Sequence, residues 1–310
     1  MIRIEGLIAA IFTPFNEDGS LNLPMIPAIV DKMAGDGMAG VFVCGTNGEG
    51  PNMTVAERMD LSKAVVQAAN KRLKVFVHVG HTSIEESRKL AAHAAHIGAD
   101  AISAVAAFYF KPTSVRNLVE SIGSIAAAAP ELPFYYYHIP VLTGVGMDMV
   151  EFLRLSQDAI PNLAGIKYTA PTLQEYQACV NFNNGQYDIL YGTDEMLLPA
   201  LSVGAKGAIG STYSFAGPLY LQIMKLFSSG KLDAAQQLQL QCVEMIRRFL
   251  KYPSLPAQRA IMQILGWNIG PCRLPLKPLN AEEVADLKAS LDDMGFLDLL
   301  APVTEQTNHA

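Results

Sequence analysis

Eight short apolar runs, each bounded by glycine, proline or polar residues, recur along the chain with longer stretches between them. They are Leu7–Phe12, Gly40–Cys44, Val75–Val79, Ala101–Ala106, Phe134–Tyr137, Ala164–Lys167, Ile189–Tyr191 and Gly207–Ile209. A continuous apolar run, as opposed to an alternating one, marks a strand whose sheet is covered on both faces, as parallel sheets are. The stretches between the runs carry apolar residues at helical spacing. Val55–Asn70 follows Thr54 and has Glu57 in its first turn, a capping-box pattern, and Ser83–Ile97 opens on Ser83 with Glu86 in the same relation. Ser114–Ala129 and Leu173–Phe182 follow suit. Eight strand–helix units predict an α/β fold, a (β/α)8 TIM barrel over residues 1–227. An open doubly wound sheet is the alternative, ranked lower because eight even units close more readily than they spread. From about Ser228 no strand-like run remains, and the pattern predicts helices over Ala234–Leu250, Ala257–Leu265 and Ala281–Met294. This gives a helical C-terminal extension, 228–310, packed on the barrel, with a Gly- and Pro-rich loop at Gly266–Pro278 and a frayed end at Thr304–Ala310.

Bulk properties narrow the function classes. Apolar residues make up 50% of the 310 and charged residues 17%, which suits a large buried core. The formal net charge is -6 with no Lys/Arg-rich block, which argues against nucleic acid and anionic membrane surfaces as partners. Any acidic substrate must then be recognised locally. Cys44, Cys179, Cys242 and Cys272 are scattered without CxxC spacing, so neither a disulfide framework nor a zinc site is expected. The N-terminal run lacks the charged region and cleavage site of a signal peptide, and no stretch reads as a membrane span. These features predict a soluble, cytoplasmic protein. None of the six histidines pairs with carboxylates at a metal-ligand spacing; His93 and His96 read as surface groups, and no metal is expected. Trp267 in the extension reads as a packing residue.

In a barrel of this kind the reactive groups sit at the C-terminal strand ends. Lys167 ends the sixth run, and a lysine there is costly unless used or paired. Burial disfavours an ammonium and leaves the neutral, nucleophilic amine available. The competing reading is a structural lysine paired with Glu49. Tyr137 ends the run before it and can pass a proton beside an imine; the competing reading is a core aromatic. Alternation puts Tyr135 and Tyr137 on one side of the strand and Tyr136 on the other. Gly45-Thr46-Asn47-Gly48-Glu49-Gly50 follows a strand and precedes a helix, so its N–H groups and side chains can converge on an anion, a carboxylate more than a phosphate. It has neither the Walker nor the dinucleotide spacing, and as a bare pattern it is equally an ordinary turn. Asp194, Glu195 and Ser211 follow the seventh and eighth runs, where carboxylates suit the hydroxyls of a polyol, or a metal.

Taken together, Thr13-Pro14-Phe15, Gly45-Thr46-Asn47-Gly48-Glu49, Tyr137-His138-Ile139-Pro140, Gly165-Ile166-Lys167 and Gly210-Ser211-Thr212-Tyr213 resemble the pyruvate-dependent class I aldolases, the family that holds the sialate lyases and the dihydrodipicolinate synthases. The resemblance runs to about Pro278. It implies that Lys167 forms a Schiff base with a 2-oxo acid, that Tyr137 transfers protons, and that Thr46 and Asn47 hold the substrate carboxylate. It further implies a homotetramer in which Tyr109, at the matching motif position, reaches a neighbouring active site, and a reaction that needs no cofactor. Within the family the stretch Pro133–Gly144 looks like the sialate lyases, and Leu142 stands where the synthases carry an arginine for a second carboxylate. Gly192, Asp194 and Glu195, with Thr169 and Ser211, match the lyase residues that grip a sugar tail. The implied substrates are sialic acid and pyruvate, through reversible cleavage of N-acetylneuraminate to N-acetylmannosamine and pyruvate. Another 2-keto-3-deoxy sugar acid, a synthase (disfavoured by Leu142) and a catalytically silent sugar-acid binder are the alternatives. Two positions depart from the family pattern: His138 stands for the common asparagine and Asn47 for a threonine.

Overall fold

All eight runs are strands in the computed structural model, which describes residues 3–300. The strands are β1 Gly6–Ala10, β2 Gly40–Val43, β3 Lys74–His78, β4 Ala101–Val105, β5 Phe134–His138, β6 Leu163–Tyr168, β7 Asp188–Tyr191 and β8 Gly207–Gly210. Each pairs in parallel with the next, and β1 also pairs with β8, from Gly6 opposite Gly207 to Ala9 opposite Gly210, so the sheet closes. The open-sheet alternative is thereby removed. The helices around the barrel are α1 Ile26–Gly35, α2 Val55–Ala69, α3 Ile84–His96, α4 Val115–Ala126, the short α5 Pro140–Thr143, α6 Met149–Ala159, α7 Leu173–Asn181, α8 Leu197–Ser202 and α9 Tyr213–Ser228. Then come α10 Leu232–Phe249, α11 Ser254–Ile264, α12 Ala281–Asp293 and α13 Phe296–Leu300, with α10 packed along α9 and α12 on α10 and α11. The predicted frayed end, 304–310, lies outside the described residues.

The caps follow the sequence signals with one difference. Thr54 and Glu57 form a reciprocal capping box on α2. Ser83 accepts the Glu86 N–H at the start of α3, but the Glu86 carboxylate turns to Lys89 instead of back to the cap. An ion pair one turn on competes with the second half of the box. Trp267 is half-buried against the core, as a packing residue should be.

Side-chain alternation divides the core in two. Ile8, Phe42, Phe76, Tyr135, Tyr137 and Leu190 fill the barrel, while Tyr136 belongs to the larger layer between the strands and the helices. The three tyrosines of β5 thus point as the period of two requires. One close approach needs glycine: a Cβ at Gly165 on β6 would lie 1.7 Å from the Asp188 carbonyl oxygen on β7.

Asp188 opens β7 at the end of the barrel remote from the reactive rim. Its Oδ2 accepts from Tyr135 Oη at 2.9 Å and from the Ile4 N–H at 3.1 Å. Burial nevertheless pushes the carboxyl up to about 6, against an ordinary 3.8. Between those values the folded chain binds more protons than the unfolded one, so this group lowers stability as pH rises from about 4 to 6. Asp188→Asn is expected to remove that fall, worth up to ~3 kcal/mol. Urea unfolding of both proteins at pH 4 and pH 7 measures it, and the same difference at both pH values would contradict it.

Candidate active site

The C-terminal strand ends open on a cavity of about 510 Å³ whose lining includes Thr46, Tyr137, Lys167, Thr169 and Ser211. Tyr137 and Lys167 are cross-strand partners in the β5–β6 register, so their side chains enter the barrel side by side. Lys167 is 4% exposed. Its Nζ stands 3.9 Å from the centre of the Tyr137 ring and 4.2 Å from that of Phe42. It makes no ion pair among the described residues. Glu49, the partner that a structural lysine would need, is instead held by Arg259 at 3.3 Å. The pairing of Lys167 with Glu49 is therefore not formed. Beneath it, His78 packs edge-on to Tyr137, and its Nδ1 is hydrogen-bonded to the Cys44 carbonyl at 3.1 Å. Burial first, and then the charges of Arg58 and Lys167, hold this imidazole well below its usual titration range, so it is neutral.

The turn after β2 is shaped by two residues with left-handed backbone, Cys44 at φ 60° and Glu49 at φ 51°. Gly50 N–H closes on the Gly45 carbonyl and Glu49 N–H on that of Thr46, which leaves the N–H groups of Thr46 and Asn47 without an acceptor among the described residues. Thr46 Oγ1 lies 3.4 Å from Tyr137 Oη. The side chain of Asn47 differs from expectation. Its Nδ2 donates to the carbonyls of Ala10 (3.3 Å) and Ser211 (3.4 Å), so the amide ties β2 to β1 and β8, and the main-chain N–H is the donor that Asn47 has to spare.

Glu49 fastens this turn to the C-terminal helices. Besides Arg259 on its Oε1, its Oε2 accepts the Arg273 N–H at 3.0 Å. Arg259 also donates to the carbonyls of Thr13, Ile269 and Gly270. An ion pair this deeply buried is held by its hydrogen bonds, and removing one partner strands the other charge.

On the far strands, Asp194 is buried and its Oδ2 accepts from Thr212 N–H (2.8 Å), Thr212 Oγ1 (2.7 Å) and Ser211 Oγ (3.2 Å). Its Oδ1 has no partner among the described residues. Burial pushes both Asp194 and the half-buried Glu195 above the usual carboxylate range. Gly192 is required beside them, because a Cβ there would meet Thr169 Oγ1 at 2.0 Å. Thr169 Oγ1 is itself buried without a partner among the described residues. No group of three or more His, Cys, Asp and Glu that could hold a metal occurs among the described residues. His138 points outward, its ring 5.0 Å from that of Tyr168, and burial pushes it down to about 4.

One placement follows the expectation and one was not foreseen. Tyr109 does not line this cavity; it is 76% exposed beside Phe110 on the loop after β4. A single chain therefore does not bring it to Lys167. Conversely, α10 and α11 supply Ile246, Phe249, Leu250, Ser254 and Gln258 to the cavity wall. Nothing in their local sequence separates them from ordinary core-facing helix positions, so only the packing of the extension over the rim discloses them.

The model of the dihydrodipicolinate synthetase family matches residues 3–294. The chain belongs to that family. It is 40% identical to the N-acetylneuraminate lyase of Rattus norvegicus over 304 residues, 95% of this chain and 94% of that protein. Two solved structures of sialic acid aldolases superimpose closely. The N-acetylneuraminate lyase of Proteus mirabilis has a TM-score of 0.92 at 38% identity, covering 95% of this chain and 100% of its own. That of Aliivibrio salmonicida has a TM-score of 0.92 at 39% identity, covering 96% and 98%.

Arg259→Ala is expected to lower the unfolding free energy by about 3–5 kcal/mol, since it leaves Glu49 charged and buried. Arg154→Ala, which removes an ion pair of exposed side chains with Glu151, is expected to change it little. Denaturant titration of the two variants makes the comparison, and equal losses would show that the Glu49 tie is no stronger than a surface pair.

Proposed function

We propose that this chain is a class I aldolase that cleaves N-acetylneuraminate reversibly to N-acetylmannosamine and pyruvate, with Lys167 as the Schiff-base residue. The observation that carries the reading is the Lys167 amine itself, buried at the cavity floor against Tyr137 and in no ion pair among the described residues. Relatives about 40% identical over nearly the whole chain bear the name of this lyase.

The Lys167 amine, on losing its proton, attacks the C2 ketone of the open-chain sugar acid, and loss of water gives a protonated imine. The C4 hydroxyl then gives up its proton through Tyr137, whose phenol is within reach of Thr46 Oγ1. The C3–C4 electron pair moves into the C2–C3 bond, the imine nitrogen takes the displaced electrons, and the aldehyde leaves. Protonation of the resulting enamine at C3 and addition of water release pyruvate and the free amine. The lysine supplies the electron sink, so the scheme needs no cofactor.

The substrate carboxylate fits the free N–H groups of Thr46 and Asn47, a backbone cradle of the kind that binds anions. Thr169, Gly192, Glu195, Ser211 and the free oxygen of Asp194 serve the hydroxylated tail, so that binding remote from the reacting carbon orients the scissile bond. Leu142, 60% exposed on α5, offers no charge to a second carboxylate, which weighs against a synthase. Tyr109 and Phe110 on the loop after β4 and Val141 and Leu142 on α5 are all exposed, and we place them in a subunit contact of a homotetramer that carries Tyr109 to a neighbouring cavity. The four free, buried thiols suit a cytoplasmic setting.

Borohydride reduction in the presence of pyruvate is expected to leave a stable adduct that peptide mapping places on Lys167; a chain without it is no Schiff-base enzyme. Tyr137→Phe is expected to lower turnover by at least 100-fold, within the usual range of ~10²–10⁴ for one proton-transfer group, while leaving much of the adduct. Equal loss of both would make Tyr137 structural. Faster pyruvate release from a shorter 2-keto-3-deoxy acid than from N-acetylneuraminate would replace the substrate and keep the imine.

A further inference from the structure

The part of the cavity wall built by α10 and α11 has no role in the scheme above. It is mostly apolar, with Ile246 and Phe249 buried, and beside the exposed Ser254 one buried polar side chain interrupts it. That side chain is Gln258, 4% exposed. Its Nε2 donates to Ser254 Oγ at 3.0 Å, one turn back on α11. Its Oε1 is buried and has no partner among the described residues. A desolvated acceptor without a donor is unfavourable, and the side chain that carries this one lines the cavity.

We propose that Gln258, Ile246 and Phe249 form an acetamido subsite, which makes the enzyme select 2-oxo sugar acids bearing an N-acyl group over those with a hydroxyl in its place. The inference rests on the lyase reading of the cavity. The other parts of such a substrate already have complements. The carboxylate has the N–H groups of Thr46 and Asn47, and the hydroxyl tail has the acceptors Asp194 and Glu195, carried after β7. The acetamido group remains, with one N–H donor and one methyl. A neutral carboxamide oxygen matches the N–H, and Ile246 and Phe249 match the methyl. A carboxamide carries no charge, so it does not compete for the carboxylate. The planar amide, with its methyl seated on the apolar wall, fixes its N–H on Gln258 Oε1, whereas a hydroxyl in that position has no such anchor, leaves the apolar wall facing a polar group and forfeits the methyl contact.

The test is the ratio of kcat/KM for N-acetylneuraminate to kcat/KM for its analogue with a hydroxyl replacing the acetamido group. Wild type is expected to favour the N-acetyl substrate. Gln258→Met, which keeps the length and removes the acceptor, is expected to lower the ratio about tenfold, the scale of one neutral hydrogen bond or methyl contact. Gln258→Glu, which restores an acceptor, is expected to recover part of it. A general loss of structure cancels in the ratio. If Gln258→Met does not fold, Phe249→Leu carries the same test through the methyl contact, with the same fall expected. An unchanged ratio in a folded variant, or a wild type without preference, overturns the subsite while leaving the lyase intact. No pyruvate from either substrate, with no adduct on Lys167, overturns the lyase reading and the subsite with it.

Discussion

A strand covered on both faces has room for apolar side chains and little else, because a polar group there loses water and gains no partner. In this barrel the constraint applies to all eight strands at once. Side chains turned inward pack as a closed column around Phe42, Phe76 and Tyr135, and those turned outward meet the helices. Polar chemistry is left to the two rims. At the rim of the strand beginnings Asp188 and Tyr135 answer one another, and at the rim of the strand ends Lys167 and Tyr137 stand in register over His78. The position of the amine is thus a consequence of closure: rotating β6 by one residue would turn Lys167 into the helix layer.

Closure alone does not hold the rim loops in place. The extension does so at two points. Arg259 of α11 reaches into the rim to bind Glu49 and the Thr13 carbonyl, which pins the turn carrying the free N–H groups. Gln239 of α10 donates to the Asp194 carbonyl and accepts the Leu198 N–H, which pins the turn carrying the acidic pair. Both turns are therefore fixed by the same helices that wall the cavity between them. Without these helices the turn with the left-handed Glu49 backbone loses its bonds to Arg259, and the turn of Asp194 loses its bonds to Gln239.

The division of labour at Asp194 and Asn47 has the same origin. Both carry polar side chains that could address a ligand, and both spend part of that capacity on the scaffold. Asn47 donates its amide to the carbonyls of Ala10 on β1 and Ser211 just after β8, and Asp194 gives one oxygen to the turn after β8. In a closed barrel the loop after one strand abuts the loops after its neighbours, and buried polar groups there must satisfy one another before they can serve a substrate.

The chain's periodicity by itself determined the eight strands, the helices between them and the alternation that sends Tyr137 inward and Tyr136 outward, because burial on two faces and a period of two leave a mark on every residue of a run. Strand ends named Lys167, Thr46 and Ser211 as rim residues for the same reason. Local sequence carries no mark of long-range pairing, so only the tertiary structure decided that Glu49 belongs to Arg259, 210 residues away, and not to Lys167. It likewise decided that Asn47 faces two carbonyls, that Tyr109 stands outside its own chain's cavity, and that α10 and α11 complete the wall with Phe249 and Gln258. Those outcomes depend on which surfaces meet when the barrel closes and the extension folds back over its rim, a geometry to which each segment contributes and none encodes alone.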